Sequence, residues 1–143
     1  MAFETRKLWL EAASLIVAGF GLLTALAAVP VAAAPTVLLA DIIFWPLDGA
    51  QSLAAPEARL LCAIGGGVLA GWGIMMWLLV RKLFMREPAA VRAALLAGMI
   101  TWYAIDSTFS AFAGAPFNAV LNVPFLLLFL LPLRGAIARE SHF

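Results

Sequence analysis

The sequence predicts an all-α integral membrane protein, a bundle of four spanning helices with both termini in the cytoplasm. Its 143 residues are 65% hydrophobic and 12% charged, whereas soluble domains are about 45–50% apolar and about 25% charged. Four segments are apolar over about the 20 residues that a helix needs to cross a bilayer. Lysine and arginine are almost confined to the connections that fall on one side of such a bundle.

The four predicted spans form a single membrane domain over residues 1–143. They are residues 8–34, 58–80, 91–112 and 117–133. Pro30 is expected to kink or end the outer turn of the first span, and the fourth span is at the lower limit of length for crossing. Unpaired backbone groups are costly in lipid, so each span should be a helix.

The connections between the spans indicate their orientation. Residues 35–57 form an outer loop with a short apolar piece, "VLLADIIFWPLDG", whose Trp45 suits the membrane–water interface. Residues 81–90 form a basic hairpin, and residues 113–116 form an uncharged turn. Of the nine lysines and arginines, only Arg59 falls on the side of the outer loop. Because basic connections stay in the cytoplasm, the hairpin and both termini should be cytoplasmic.

A secretory signal peptide is a second interpretation of the first span. Arg6 and Lys7 precede an apolar run that ends in the small residues "VAAAP". However, the run is long, Glu11 interrupts its start, and Pro35 follows the best cleavage site. Cleavage would also leave three spans with the termini on opposite sides. The favoured prediction is therefore a retained helix.

Small residues predict that the first two spans pack closely, because helices in lipid associate through close approach and polar contacts. The second span carries Ala63, Gly67 and Gly71 at intervals of four, a face that could instead mark contact with a second copy. The first span carries a regular seam of small residues: Ser14, Ala18, Gly21, Ala25, Ala28 and Ala32.

Asp106 is a carboxylate in the apolar stretch "TWYAIDSTFSAFAGAPFNAVLN". At about 1.5 Å per residue it stands roughly 20 Å along the third span, in the outer half of a core about 30 Å thick. An unpaired charge there costs at least ~2 kcal/mol. We expect Arg59 to neutralise it in an outward-facing polar pocket. The predicted ligand-binding residues are Asp106, Arg59, Asn118, Asn122, Tyr103 and Ser110.

The polar cluster has two interpretations. In one, Arg59 and Asp106 clamp two helices together and nothing binds. In the other, the pocket takes a small polar ligand, or Asp106 exchanges a proton as solute passes. The presence of an arginine partner favours the clamp. A second tie is expected at the cytoplasmic end, between Glu11 and one of the hairpin cations, Arg81, Lys82 or Arg86.

The sequence lacks the residue patterns that are typical of catalytic, metal-binding and cofactor-binding sites. Cys62 is the single cysteine and His142 the single histidine, which excludes an internal disulfide and a pair of histidine haem ligands. Asp41, Asp48 and Glu57 have no recognisable metal spacing. We therefore predict no catalytic residue, no metal and no cofactor. A net charge of +1 with only short basic runs argues against a nucleic-acid partner.

Three function classes follow. The first is a small multi-pass membrane protein that acts by contact, as an accessory or assembly partner of a membrane complex or as a homo-oligomer. The alternative is a small-solute or proton-linked transporter or binding protein with its pocket at Asp106. A lipid-modifying enzyme using Asp41, Asp48 and Arg59 ranks last. The partners would be the lipid bilayer and another membrane protein or a second copy. The layout is typical of small proteins of bacterial inner membranes, so we expect a location in a cell membrane.

Overall fold

The structure, a computed structural model, describes residues 1–134 and is all-α over that range, with no strand. The helices are α1 (Phe3–Leu26), α2 (Ala34–Ile43), α3 (Pro56–Leu83), α4 (Pro88–Phe112) and α5 (Phe117–Leu133). By length and composition, α1, α3 and α4 can each cross a membrane, whereas α2 and α5 are shorter apolar helices. His142 lies outside the described residues.

Helix α1 ends at Leu26, well before the predicted end of the first span near residue 34. Pro30 accounts for the difference. A proline has no N–H, and its ring clashes with the carbonyl four residues earlier, which here belongs to Leu26. That carbonyl instead accepts the Val29 N–H at 2.9 Å. A short 3₁₀ turn, Pro30–Ala32, then leads into α2, which contains the first part of the apolar piece of the outer loop.

Helices α1 and α3 pack at backbone contact, as the small-residue seam on α1 predicts. A Cβ atom at Gly21 would lie 2.7 Å from the Gly66 carbonyl oxygen, and one at Gly73 would lie 2.5 Å from the Ala18 nitrogen. Both distances are too short for any side chain. Ser14, Ala18 and Gly21 are buried in this contact. The last two residues of the predicted seam, Ala28 and Ala32, lie beyond the end of α1.

The face of α3 that carries Gly67 and Gly71 does not pack on α1, which leaves contact with a second copy as the remaining interpretation of this face. Gly67 and Gly71 are exposed, and a Cβ atom at either would meet nothing within 4 Å. The glycines that meet α1 are Gly66 and Gly73. Seven residues are close to two turns of about 3.6 residues, so these two glycines also share a face. Neighbouring glycines of α3 lie on different faces of the helix. Their spacing alone is compatible with a packing face at Gly67 and Gly71 or with one at Gly66 and Gly73.

Helices α1, α3, α4 and α5 share one apolar core. Its side chains belong to residues such as Leu10, Val17, Met76, Val80, Leu95 and Phe129, each almost fully buried. Phe84 follows α3 directly, is fully buried, and stacks on Phe3 with ring centroids 5.0 Å apart. The core therefore ties the first turn of α1 to the end of α3.

Trp9 compensates for a proline in α5. Pro132 lies inside this helix and has no N–H, so the Leu128 carbonyl lacks its usual helical donor. The indole N–H of Trp9 donates to that carbonyl at 2.9 Å. An unpaired carbonyl in an apolar setting is costly, so this contact stabilises the docking of α5 on α1.

Two arginines cap the end of α5, where the last carbonyls of a helix lack intrahelical donors. Arg6 donates to the carbonyl oxygens of Pro132 at 3.1 Å and Arg134 at 3.0 Å. Arg92 donates to the Leu133 carbonyl oxygen at 2.9 Å. These cations therefore join the starts of α1 and α4 to the end of α5.

The predicted tie between Glu11 and a hairpin cation is wrong. Glu11 instead pairs with Lys7, one turn earlier on the same helix, with Nζ and Oε1 2.8 Å apart. A partner at i−4 requires no ordering of a second element, which explains why the local pair forms. Of the hairpin cations, Arg81 lies over the ring of Trp77, 5.0 Å from its centroid.

Candidate functional site

Asp106 lies on α4 and faces the first turns of α5. Asn118 and Asn122 are one turn apart on α5, so their side chains share a face. The Asn118 amide nitrogen donates to Asp106 Oδ2 at 2.7 Å, and the Asn122 amide nitrogen donates to the same oxygen at 2.5 Å. Asn118 also donates to Ser110 Oγ at 2.8 Å. The structure thus brings together Asp106, Asn118, Asn122 and Ser110, which we call the amide cluster.

Arg59 does not belong to the amide cluster, and the predicted ion pair with Asp106 is wrong. Its guanidinium donates to the backbone carbonyls of Leu53 at 3.4 Å and Ala54 at 2.9 Å. No ion pair within residues 1–134 includes Arg59. The reason is helix pairing: α3 packs mainly against α1, and α4 packs mainly against α5. The carboxylate is therefore satisfied by α5, and the arginine by the loop before its own helix.

Tyr103 also lies outside the amide cluster. It is half-buried on α4, and within the described part of the chain no side-chain hydrogen bond includes it. Ser107 is the next neighbour of the cluster instead, with its Oγ 3.5 Å from the Asn122 amide nitrogen. The two amides, and not the phenol of Tyr103, donate to the carboxylate.

An apolar cavity of about 330 Å³ adjoins the two asparagines, and sequence reasoning did not find it. All five helices contribute to its walls. The lining includes Phe20, Ile43, Leu69, Trp102 and Phe125, together with Asn118 and Asn122. Asp106 does not line the cavity, whereas both of the asparagines that donate to it do. The position of α2 over the cavity depends on tertiary packing, which no local sequence signal reports.

Asp41 holds the loop that follows α2. It is buried, and both of its carboxylate oxygens accept the Gly49 N–H, at 3.1 and 3.0 Å. Gly49 has φ of +71°, a conformation that favours glycine. The Trp45 ring lies against Phe117 on α5, with centroids 6.1 Å apart. These contacts place α2 against the start of α5 and commit Asp41 to a structural role rather than to surface chemistry.

The fold and the amide cluster define a class: an all-α membrane protein with three long candidate spans and a polar cluster among apolar helices. No family model, no curated protein and no solved structure matches this chain. Within residues 1–134, no group of three or more histidine, cysteine, aspartate or glutamate side chains could hold a metal ion.

Proposed function

We propose that α1, α3, α4 and α5 all cross the membrane, with both termini in the cytoplasm and α2 in the outer leaflet. Helix α5 has 17 residues, or roughly 25 Å at 1.5 Å per residue, slightly less than a hydrocarbon core of about 30 Å. It shares the apolar core with the three long helices, and the arginines that cap its end belong to the basic side. A bacterial inner membrane is the proposed location.

Thiol labelling in intact cells tests this orientation. With Cys62→Ser as the background, Ser52→Cys should react with a membrane-impermeant maleimide from outside. Glu87→Cys should react only after the cells are permeabilised, because residues 84–87 connect two spans on the cytoplasmic side. Labelling of Glu87→Cys in intact cells, with Ser52→Cys protected, would show that the orientation is the opposite of the proposed one.

We propose that the protein binds an amphipathic molecule that dissolves in the membrane. The cavity walled by all five helices carries this proposal. Its volume of about 330 Å³ falls within the range of about 300–1,000 Å³ that is common for ligand pockets. Ligand pockets are typically apolar with a few fixed polar groups, and here the two asparagines supply those groups. An apolar cavity is a poor site for water, so an apolar ligand body suits it best.

The core beneath the cavity supports binding rather than passage. Toward the start of α1, the cavity is followed by buried apolar side chains, among them Leu10, Met76 and Val80. The buried Ser14 hydroxyl donates to the Leu10 carbonyl at 2.7 Å, so its proton is already used within its own helix. A polar solute moving through this core would lose its hydration without gaining partners.

Filling the cavity should weaken ligand binding. Ala40 lines the cavity from α2, whereas Leu38 on the same helix is exposed. In vesicles, a long-chain fatty alcohol carrying a diazirine should label α2 and α5 saturably on illumination, as mapped by mass spectrometry. Ala40→Trp should lower the affinity at least about tenfold, which corresponds to about 1.4 kcal/mol. Leu38→Trp is the matched control and should label normally. Unsaturable labelling along all helices would contradict a binding site.

A role by contact with a second copy of the chain is the second candidate. The exposed position of Gly67 and Gly71 favours it, since no other helix within residues 1–134 packs on these two glycines and this GxxxG face has open space above it. Gly67→Leu with Gly71→Leu should then shift the mass of the detergent-solubilised protein from dimer to monomer. Gly19→Leu, at another open position on α1, is the control. A monomer in the unmodified protein would exclude this role.

A further inference from the structure

The amide cluster has a fixed direction. The nitrogens of Asn118 and Asn122 both donate to Asp106 Oδ2. An ionised carboxylate only accepts hydrogen bonds, so it selects the orientation in which both asparagines turn their NH₂ groups toward it. The oxygen of a planar amide points away from the nitrogen. Each asparagine Oδ1 is therefore turned away from Asp106.

The two Oδ1 atoms are open acceptors. No side-chain hydrogen bond within residues 1–134 reaches either atom. Nevertheless, no side-chain nitrogen or oxygen in that range is both sealed from solvent and without a partner. Each Oδ1 therefore borders space that a small probe can enter. Both asparagines also line the cavity, so the cavity lies beside the side chains that carry these two oxygens.

Thr24 adds an acceptor of the same kind. Its hydroxyl donates to the Phe20 carbonyl of its own helix at 3.0 Å. The proton is thus used, and the Oγ1 lone pairs remain available in the cavity wall. Three residues that line the cavity thus each carry a side-chain oxygen that is free to accept a hydrogen bond, while the donor group of the same side chain is directed elsewhere.

We propose that the cavity selects an apolar molecule that carries a hydroxyl group, which donates its single proton to the Oδ1 atom of Asn118 or of Asn122. Asp106 is the positioning residue that sets this selectivity without touching the ligand. This proposal rests on the proposed function. A ligand that carries only a hydrogen-bond acceptor at the same place would bring its own oxygen against the asparagine Oδ1 atoms. The two would repel each other, and the Oδ1 atoms would have no donor. Sites built to bond a hydroxyl reject analogues that lack it for this reason.

Paired ligands test the proposal. Naphthol and its methyl ether, methoxynaphthalene, share an apolar body, but only naphthol can donate. Binding of each to the protein in nanodiscs is measured by equilibrium dialysis, with empty nanodiscs subtracted. Naphthol should bind about tenfold more tightly than the ether, the equivalent of about 1.4 kcal/mol. This comparison uses the unmodified protein and needs no variant to fold.

Asp106→Asn tests the positioning role. The new side chain can donate as well as accept, so the two asparagines are free to turn their N–H groups to the cavity. The preference for naphthol should fall toward equal binding, whereas Arg59→Gln, outside the cluster, should retain it. A folded Asp106→Asn protein that keeps the full preference would overturn the role of Asp106.

The outcomes separate the two proposals. Equal binding of both ligands to the unmodified protein, with the affinity for both lowered by Ala40→Trp, would overturn the hydroxyl selectivity and leave the cavity as a binding site. Failure of both ligands, and of the diazirine alcohol, to bind saturably would overturn the binding function and the selectivity together.

Discussion

Gly66→Ala is expected to destabilise the protein strongly, whereas Gly67→Ala, one residue further along the same helix, is not. A Cβ atom at Gly66 would lie 2.5 Å from the Gly21 carbonyl oxygen and 2.7 Å from the Ala25 Cα atom. Both atoms belong to backbone, which cannot rotate aside, so α1 and α3 must separate. Overpacking typically costs about 1–3 kcal/mol, and we expect a loss of at least about 3 kcal/mol here because two helices must move.

Thermal unfolding in detergent, followed by circular dichroism, measures the difference. Gly67 has open space around it, so its alanine variant should change the free energy of unfolding by no more than about 1 kcal/mol, the helix-propensity term. Gly73→Ala should resemble Gly66→Ala, since its Cβ atom would lie 2.5 Å from the Ala18 nitrogen. Equal losses for Gly66→Ala and Gly67→Ala would contradict the assigned packing face.

Asp106 and Asn122 should be energetically coupled, and Asp106 and Arg59 should not. Asn122 is buried and donates to the carboxylate. Hydrogen bonds to charged groups contribute about 1.5–3 kcal/mol. In a double-mutant cycle of Asp106→Ala and Asn122→Ala, the two single losses should exceed the loss of the double variant by about 1–3 kcal/mol. The free energies come from denaturation of the purified protein.

Arg59→Ala provides the matched cycle. Arg59 binds the Leu53 and Ala54 carbonyls and not the carboxylate. Its effect should therefore add to that of Asp106→Ala within about 0.5 kcal/mol, as for independent sites. Strong coupling of Arg59 with Asp106, or additivity of Asp106 with Asn122, would show that the carboxylate has a different partner from the one described here.

The amide cluster was accessible to sequence reasoning because its partners are local. Asp106 and Asn118 lie on consecutive helices joined by a four-residue turn, Ala113–Pro116. Such a turn places the end of α4 beside the start of α5. Residues on either side of the turn are therefore close together, however the other helices pack. The helix boundary at Phe117 and the common face of Asn118 and Asn122 follow from the same short-range signals.

The partner of Arg59 could not be predicted in this way. Its predicted contact required α3 to lie beside the outer end of α4. Opposite charge and a similar depth along the membrane normal were the arguments for this contact, but residues at one depth can lie on different sides of the molecule. The pairing of α3 with α1 through Gly66 and Gly73 removed that proximity. Opposite charges in a sequence therefore did not identify partners.

The helical character of the chain, its apolar spans and the closeness of α1 to another helix were determined by the sequence itself. They depend on hydropathy, on prolines and on small residues, which act over one or two turns. The packing face of α3, the placement of α2 and the cavity were decided only by tertiary structure. The physical reason is that lipid is about as apolar as a helix neighbour. Burial against protein therefore leaves no hydropathy signal that would separate one face of a membrane helix from another.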